Sequence, residues 1–416
     1  MRTNVWRVSF GLVLMGFGSA FAGDRWPEFR GPTGQGLSTS KGYPVRWSPT
    51  ENVTWKADLP GKGWSSPILD NGRIYLTSAV PLTGADADKH ALRTLALDAT
   101  SGKVLWDVEV FRHPITKVHP KNSHASPTPI TDGKHIFVHF GTQGTACLDV
   151  DGRIVWTNNE LKYSPVHGNG GSPVLVDNLL VLSCDGGDSQ FVVALNRATG
   201  KIVWKKMREA QPVKGFSFGT PLVIEVNGQR QLISQGSERV AAYDPATGSE
   251  LWRVRYNGYS VVPRPVFGHG LLFVCTGYDT PKLLAIRPNG SGDVTETHVE
   301  WTLEKGVSHN PSPLLVGDEL YLVSDGGIAI CLDAKTGKQY WQQRLDGKYS
   351  SSPVFADGKI YFQNEVGLGV VIEAGRTFKE VQRNDLKENS LASYALGDGS
   401  LFIRTEQRLY RIDERK

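Results

Sequence analysis

Residues 96–106 read Ala96-Leu-Asp98-Ala-Thr-Ser-Gly102-Lys-Val-Leu-Trp106, and this motif recurs along most of the chain. Copies of the same length cover residues 194–204, 242–252 and 331–341, a copy shorter by one residue covers 147–156, and a copy with an expanded turn covers 285–301. Apart from the expanded copy, each has its glycine four residues before the tryptophan. Self-similarity of this kind indicates an architecture built from repeated units.

A second motif precedes each copy and consists of Ser-Pro or Thr-Pro, an apolar pair, a polar turn and an alternating apolar strand. Seven copies begin at Ser66, Ser126, Ser172, Thr220, Arg264, Ser312 and Ser352. A degenerate eighth copy has Tyr394 in the place of the proline. The copies are 40–60 residues apart. Eight units with four short strands each predict an all-β fold, an eight-bladed β-propeller of four-stranded antiparallel blades.

The two motifs also predict how neighbouring blades are joined. The aspartate can accept backbone N–H bonds in the turn before the last strand, and the glycine supplies a positive φ there. The tryptophan that follows can then lie against the next blade and bury a large apolar area. Seven tryptophans occupy this register: Trp55, Trp106, Trp156, Trp204, Trp252, Trp301 and Trp341. We expect these residues to set the register between blades.

The two ends of the chain predict ring closure. The last repeat stops near Asp413, before a fourth strand, and residues 52–59 resemble the missing strand with Trp55 in place. We therefore expect an N-terminal strand to complete blade eight. The domain boundaries that follow are a signal peptide at 1–22, a lead segment at 23–51 and the propeller at 52–416. We expect the lead segment, with Trp26, Phe29 and Trp47, to pack over the outside of the ring.

The first 22 residues have the pattern of a cleaved secretory signal peptide. Arg2 and Arg7 form a positive region, residues 8–17 are apolar, and Ala20-Phe21-Ala22 is a small-residue cleavage site. The apolar run is short for a membrane span, and no later segment is a convincing one. We therefore expect a periplasmic or secreted protein, monomeric and without a stable membrane span.

The composition excludes several classes of protein. Charged residues make up 21% of the chain and hydrophobic residues 39%, which is typical of a globular protein. The net charge is +4, without a basic stripe, so we expect no binding to nucleic acid. The four cysteines exclude a disulfide-dense miniature scaffold; Cys147 and Cys331 take a small buried position of the repeat, and a bridge between Cys147 and Cys184 is an alternative.

The repeated Ala-x-Asp-x-x-Thr-Gly-x-x-x-Trp pattern resembles the quinoprotein-type propeller repeat. Over residues 50–413 the chain is similar to the secreted pyrroloquinoline-quinone-binding-like propeller proteins of bacteria, a family that includes the outer-membrane assembly factor BamB. This resemblance implies the propeller fold. It also implies two classes of function, because the superfamily contains quinone-dependent alcohol dehydrogenases as well as members without known chemistry.

The dehydrogenases of this superfamily hold the quinone with a calcium ion, a catalytic aspartate and a disulfide between adjacent cysteines. This chain has no adjacent cysteine pair and lacks their long insertions. We therefore expect no cofactor, no metal site and no catalytic residues, and a scaffold that binds a protein or another extracytoplasmic polymer. The alternatives are an alcohol or sugar dehydrogenase that binds pyrroloquinoline quinone with calcium, and a carbohydrate-binding propeller.

Binding residues are expected on the face where the connections between blades and the turns between second and third strands meet. Residues three before the motif proline form a mixed rim there, with Trp64, His124, Phe218 and Asn310. The candidate binding face comprises Trp64, His119, Asn122, His124, His167, Asn169, Asp185, Asp188, Phe218, Tyr259, Arg264, His309, Asn310 and Tyr349. Asp185 and Asp188 could contribute to a cation site, but we favour an Asx-type turn.

Overall fold

Eight antiparallel sheets with four main strands each make up the computed structural model, which describes residues 25–209 and 212–414. The expected signal peptide at 1–22 lies outside the described residues. The sheets follow one another along the chain as the blades of an eight-bladed β-propeller, which confirms the predicted fold class.

The strand bounds follow the repeats of the sequence. The first strand is β1 (Val53–Asp58). Blades one to three contain β2 (Ile68–Asp70), β3 (Arg73–Pro81), β4 (Lys89–Asp98), β5 (Val104–Pro114), β6 (Ile130–Thr131), β7 (His135–His139), β8 (Thr145–Asp149), β9 (Ile154–Asn158), β10 (Val174–Val176), β11 (Leu179–Asp185), β12 (Gln190–Asn196) and β13 (Ile202–Met207). Blades four and five contain β14 (Leu222–Val226), β15 (Gln229–Gly236), β16 (Arg239–Tyr243), β17 (Glu250–Arg255), β18 (Val266–Gly268), β19 (Leu271–Cys275), β20 (Leu283–Ile286), β21 (Gly292–Asp293), the helix α1 (Thr295–His298) and β22 (Val299–Leu303). Blades six to eight contain β23 (Leu314–Val316), β24 (Glu319–Val323), β25 (Ile328–Asp333), β26 (Gln339–Arg344), β27 (Val354–Ala356), β28 (Lys359–Gln363), β29 (Leu368–Glu373), β30 (Glu380–Asp385), β31 (Ala395–Gly397), β32 (Ser400–Arg404) and β33 (Arg408–Ile412).

The ring closes as the sequence predicts. Strand β1 pairs antiparallel with β33, so the sheet of blade eight has the order β1-β33-β32-β31. Val53 lies opposite Ile412, and Lys56 lies opposite Tyr410. The N-terminal strand therefore supplies the backbone hydrogen bonds that the last repeat lacks.

Tryptophans of the outer strands contact the next blade. The Trp156 indole Nε1 donates to the Arg197 carbonyl at 2.8 Å, and Trp204 Nε1 donates to the Pro245 carbonyl at 2.9 Å. Gly200 has a φ of +71°, and a Cβ at this position would lie 2.4 Å from the Trp156 ring. Glycine is required here both by the backbone conformation and by the indole that lies on it. Trp252 differs, because its Nε1 donates to Gln231 of its own blade.

The apolar core lies between neighbouring blades. One cluster joins β3 and β4 of blade one to β7 and β8 of blade two through Tyr75, Ala96, Ile136 and Leu148. Equivalent clusters join the blades further along the ring. All four cysteines are buried within these packed strands and are free, so the alternative bridge between Cys147 and Cys184 is absent. No helix within 25–209 and 212–414 is long and apolar enough to cross a membrane.

The lead segment follows a path that the sequence analysis missed. Its last part packs on the outside as expected, since the backbone N–H of Trp47 donates to Asn384 Oδ1 of β30 at 2.9 Å. Its first part instead crosses one end of the channel. Residue Trp26 pairs with Leu69 of blade one, and Leu37 pairs with Phe355 of blade seven. Between these two contacts, the Phe29 carbonyl accepts from Arg264 of blade five, on the opposite side of the ring from blade one. We call residues 26–37 the N-terminal plug.

Candidate functional site

A ring of hydroxyl side chains surrounds the channel at the start of the inner strands. Seven backbone N–H groups donate to the hydroxyl oxygen of the next blade at distances of 2.9–3.1 Å, and they belong to Ser66, Thr128, Ser172, Arg264, Ser312, Ser352 and Ser393. The hydroxyls belong to Ser66, Thr128, Ser172, Thr220, Ser312, Ser352 and Ser393. Side chains that are 40–60 residues apart in the sequence thus meet around one axis.

The ring corrects the predicted repeat register in blade two. The sequence prediction placed Ser126 in this position, but Thr128 makes the two ring hydrogen bonds. The segment contains both Ser126-Pro127 and Thr128-Pro129, so it fits the motif in two registers. The residue three before the correct proline is therefore Ser126, which lines the channel, and His124 does not.

The ring has one exception, in blade five, where Arg264 takes the place of a hydroxyl residue. The Arg264 side chain is 2% exposed and turns toward the N-terminal plug. Its guanidinium donates to the carbonyl oxygens of Pro221 and Phe29, and it forms an ion pair with Glu28 at 2.9 Å. Arg264 thus holds the plug across the channel and is not available on the binding face, contrary to the prediction.

The opposite end of the channel opens as a cavity of about 380 Å³ on the loop face. Aromatic and hydroxyl side chains predominate in its lining, and Phe29 of the plug reaches the cavity from the closed end. The lining residues are Phe29, Trp64, Ser66, His119, Lys121, Asn122, Ser126, Thr128, His167, Gly170, Ser172, Phe216, Phe218, Thr220, Tyr259, Ser260, Val262, Tyr278, Asn310, Ser312, Ser350, Ser352, Leu391, Ala392 and Ser393. A cavity of this size is suited to a small ligand or to the end of a longer one.

Aromatic rings form a continuous arc along one side of the cavity. The rings of His167 and Phe216 are 5.0 Å apart, and Phe216 is 5.7 Å from Tyr259. Tyr259 is 6.3 Å from Tyr278, which stacks on His309 at 4.5 Å. Contacts of this kind hold aromatic side chains in defined orientations. We refer to Phe216, Tyr259 and Tyr278 as the aromatic arc.

Hydrogen bonds between loops order the histidine side of the cavity. The His167 carbonyl accepts from the His119 backbone N–H at 3.1 Å and from Asn122 Nδ2 at 2.9 Å. Burial, with a further contribution from His119, lowers the pKa of His167, which keeps the ring neutral at pH 7. Lys121 is exposed and pairs with Glu365 at 2.6 Å.

On the other side, Asp325 orders the loop of blade six. Its carboxylate accepts from the His309 backbone N–H at 2.6 Å and from Asn310 Nδ2. Burial alone would raise the pKa of Asp325, but the hydrogen bonds from His309 and Asn310 outweigh it and lower the pKa. Asn310 lines the cavity, whereas His309 supports it from behind the Tyr278 ring.

The structure brings half of the predicted binding residues together in the cavity: Trp64, His119, Asn122, His167, Phe218, Tyr259 and Asn310. Tyr349 is fully buried in the core between blades six and seven, which the sequence prediction missed. Its position after a polar loop suggested exposure, but the ring packs inward.

His124 and Asn169 instead line a second pocket of about 460 Å³, which is formed by loops of blades one to three. Buried contacts hold both side chains. His124 Nε2 lies 3.0 Å from the Thr116 carbonyl oxygen, and its ring is 4.1 Å from that of His90. Asn169 Oδ1 accepts from the Tyr163 hydroxyl at 3.0 Å.

The two aspartates of the Asp185-Gly-Gly-Asp188 loop serve separate structural roles. Asp185 is buried and forms a two-point ion pair with Arg208, at 2.8 and 3.1 Å. Burial raises the pKa of the Asp185 carboxyl, and the attraction of Arg208 opposes this rise. Asp188 accepts from the Ser164 backbone N–H at 2.7 Å. Neither carboxylate faces the cavity. The Asp188 contact joins residues that are 24 positions apart, so it is not the local Asx-type turn that the sequence predicts.

The donor groups of the cavity do not fit a calcium–quinone centre. Calcium in proteins is bound mainly by carboxylate and carbonyl oxygens, and no Asp or Glu is among the described residues that line the cavity. Across 25–209 and 212–414, no group of three or more His, Cys, Asp or Glu side chains could hold a metal ion.

Sequence reasoning missed Tyr278, Phe216 and the floor of the cavity. Tyr278 is 37% exposed and lies in the turn between β19 and β20. Its place in the second-to-third-strand turn was a usable signal, because that turn lies on the predicted binding face. The correct register of blade two would have identified Ser126, and Val262 and Leu391 already stand three residues before the motif position in blades five and eight.

Residues 93–325 and 292–415 match the protein family described as outer membrane protein assembly factor BamB. The chain belongs to this family. The match spans most of the propeller, so the predicted family resemblance is confirmed.

Individual relatives of the chain have different functions. A tetrathionate hydrolase of Acidithiobacillus ferrooxidans is 26% identical over 68% of this chain and 54% of its own length. A quinoprotein ethanol dehydrogenase of Pseudomonas aeruginosa is 27% identical over 61% of this chain and 35% of its own length. The chain thus spans about half and about a third of these two relatives.

A solved structure shows the same fold. The crystal structure of BamB from Moraxella catarrhalis has a TM-score of 0.62 and 14% identity, and the alignment covers 87% of this chain and 97% of that one. At this level of identity the similarity supports the fold alone.

Proposed function

We propose that this chain is a non-catalytic propeller scaffold outside the cytoplasm and that it binds a partner in the central cavity of its loop face. The channel carries this proposal. The N-terminal plug closes one end, and the other end opens to a preformed cavity whose described lining contains aromatic, hydroxyl and amide groups but no carboxylate. Such a site can bind and orient a partner.

The wider role follows from the family and from the first residues of the chain. An assembly factor brings other molecules together, which a rigid ring with one open face suits. Residues 1–22 would direct the chain out of the cytoplasm, and the tryptophan contacts between blades would keep the ring rigid. The partner is a protein or another extracytoplasmic polymer.

A quinone-dependent oxidoreductase is the second candidate, because of the similarity to quinoprotein ethanol dehydrogenase. The two functions make opposite predictions for a simple experiment. We expect the purified chain, mixed with pyrroloquinoline quinone and calcium, to retain no quinone absorbance after desalting and to reduce no artificial electron acceptor with ethanol. Stoichiometric retention of the quinone together with reduction of the acceptor would contradict the scaffold proposal and support the oxidoreductase.

Site-specific photo-crosslinking tests the position of the binding face. A photoreactive amino acid replaces His119 at the cavity mouth, and a matched variant carries it at the exposed Thr33 of the closed end. In cell-envelope extract we expect defined crosslinked products from position 119 and none from position 33. Equal labelling from both positions, or labelling only from position 33, would contradict the proposal.

A further inference from the structure

We infer that the central cavity binds a neutral carbohydrate, such as the end of an oligosaccharide. This inference rests on the proposed function, since it names the chemistry of the partner that enters the loop face. Four independent features of the lining support it: the aromatic arc, the hydroxyl ring, one unpaired indole N–H and the balance of charge.

The aromatic arc supplies apolar faces of the kind that pack against the C–H faces of a sugar ring. Tyr278 is the most accessible of these rings, with 37% of its surface exposed, and the stacked His309 fixes its orientation. Lys214 holds Tyr259, because its Nζ lies over the ring at 4.0 Å from the centroid and donates to the Tyr259 hydroxyl at 2.8 Å. The rings are therefore ordered before a ligand arrives, which lowers the entropic cost of binding.

The hydroxyl ring supplies groups that can both donate and accept hydrogen bonds. Each ring oxygen already accepts a backbone N–H, which fixes its position and leaves its own proton available. Among the ring hydroxyls of the described residues, that of Ser352 donates its proton to Ser312 Oγ at 3.0 Å. A sugar hydroxyl is likewise both donor and acceptor, so the floor of the cavity complements it.

Trp64 adds to the cavity lining a hydrogen-bond donor without a partner in the described chain. Its side chain lines the cavity and is 8% exposed, and its Nε1–H has no hydrogen-bond partner among the described residues. A buried donor without a partner is costly, and a ligand oxygen would remove that cost. An indole ring with a polar edge is suited to a ligand that is apolar on one face and polar at its rim.

The charge of the lining favours a neutral ligand. Lys121 is the one lysine or arginine among the described lining residues, and Glu365 neutralises it at 2.6 Å. Glu365 also accepts from the hydroxyl of Ser350, which ties the ion pair to the cavity wall. The buried Arg30 and Arg264 do not line the cavity. An acidic ligand would therefore lose its hydration without gaining a free cation.

Calorimetric titration of the full mature chain at pH 7.5 tests the inference with defined probes. The neutral probes are maltotriose, cellotriose and chitotriose; trigalacturonic acid and a capped neutral tripeptide are the controls. We expect at least one neutral trisaccharide to bind with a Kd below about 1 mM and the two controls not to bind. Failure of all three sugars, or tighter binding of the acid or the peptide, would overturn the inference. If only the carbohydrate inference is wrong, defined crosslinked products still form from position 119. If those products are absent, the proposed function is wrong.

Variants then assign the binding to the cavity. Tyr278→Ala removes the accessible aromatic face and is expected to weaken binding about tenfold, whereas Tyr278→Phe keeps the ring and restores most of the affinity. Trp64→Phe removes the unpaired donor and is expected to weaken binding by roughly fivefold to tenfold. Trp106→Phe is the matched control, because its indole donates to Val150 between blades. Equal losses of trisaccharide affinity for Trp64→Phe and Trp106→Phe would show that the cavity is not the binding site.

Discussion

The two ends of the channel use different chemistry for different purposes. The closed end is held by largely buried charged side chains: Arg264 pairs with Glu28 and donates to the carbonyl of Phe29. The open end has neutral hydroxyl, amide and aromatic groups with unused hydrogen-bonding capacity. Buried charges are costly to separate, whereas neutral groups can exchange water for a ligand at little cost. The comparison indicates that stability is concentrated at the plug and binding at the loop face.

Loss of the plug anchor is expected to have the largest effect. Arg264→Ala leaves the largely buried Glu28 carboxylate without its partner, so we expect a loss of about 3 kcal/mol in the free energy of unfolding. Urea unfolding measures it. The double variant Arg264→Ser/Glu28→Gln removes both charges and restores a hydroxyl in the ring; it should recover more than half of that loss. If the single and double variants are equally unstable, the ion pair does not hold the plug.

A substitution away from both ends of the channel provides the reference for a loss of stability without a loss of binding. Trp204→Ala opens a cavity between blades three and four and is expected to cost about 3 kcal/mol. Unlike a change in the cavity lining, it should leave trisaccharide affinity within about twofold at a temperature where the variant is folded. A thermal melt identical to that of the wild type would contradict the role of Trp204 between blades.

We expect acid to lower the free energy of unfolding through a buried histidine on the side of the ring that carries the loop face. His139 lies at the end of β7, and burial lowers its pKa to about 3. Because the unfolded chain protonates this ring near pH 6.5, stability is complete above that pH and decreases as the pH falls toward 3. The slope is at most about 1.4 kcal/mol per pH unit.

Denaturant unfolding at pH 7 and pH 5 tests this dependence. The variant His139→Phe should show a smaller difference between the two pH values than the wild type, by about 1–2 kcal/mol. His135→Gln, at a half-exposed position of the same strand, is the control and should keep the dependence of the wild type. Identical pH dependence in the wild type and His139→Phe would contradict the prediction.

The smallest effect on stability is expected at the cavity mouth. Tyr278→Ala removes a partly exposed ring and its stacking on His309, so we expect a loss of about 1 kcal/mol or less. The same change is expected to weaken trisaccharide binding about tenfold. A thermal melt alongside calorimetry separates the two. A large loss in the free energy of unfolding with unchanged trisaccharide affinity would contradict the assignment of stability to the plug and of binding to the loop face.

Much of the fold could be predicted from local patterns. The Gly-x-x-x-Trp spacing, the eight inner-strand motifs and the strand-like residues 52–59 predicted the number of blades and the closure between β1 and β33. The register of blade two was wrong because Ser126-Pro127 and Thr128-Pro129 are equally good copies of the motif. The ring hydrogen bonds distinguish them, and these bonds join residues of different blades.

The candidate site was predicted only in part, for the same reason. Trp64, His167 and Tyr259 lie on loops that the repeat places on the open face. Asp185 looked equally suitable, but it is buried and pairs with Arg208, which directly follows β13. A loop position predicts that a side chain is near a face, whereas its exposure depends on residues far away in the sequence.

The sequence by itself determined the all-β repeat, the number of blades and the strand that closes the ring, because these depend on short-range patterns of apolar residues, glycine and tryptophan. The tertiary structure alone decided that Phe29 enters the channel, that Arg264 holds the plug and that seven hydroxyls meet around one axis. Ring closure brings together residues that are more than two hundred positions apart. Their contacts depend on the geometry of all eight blades, and no local pattern encodes it.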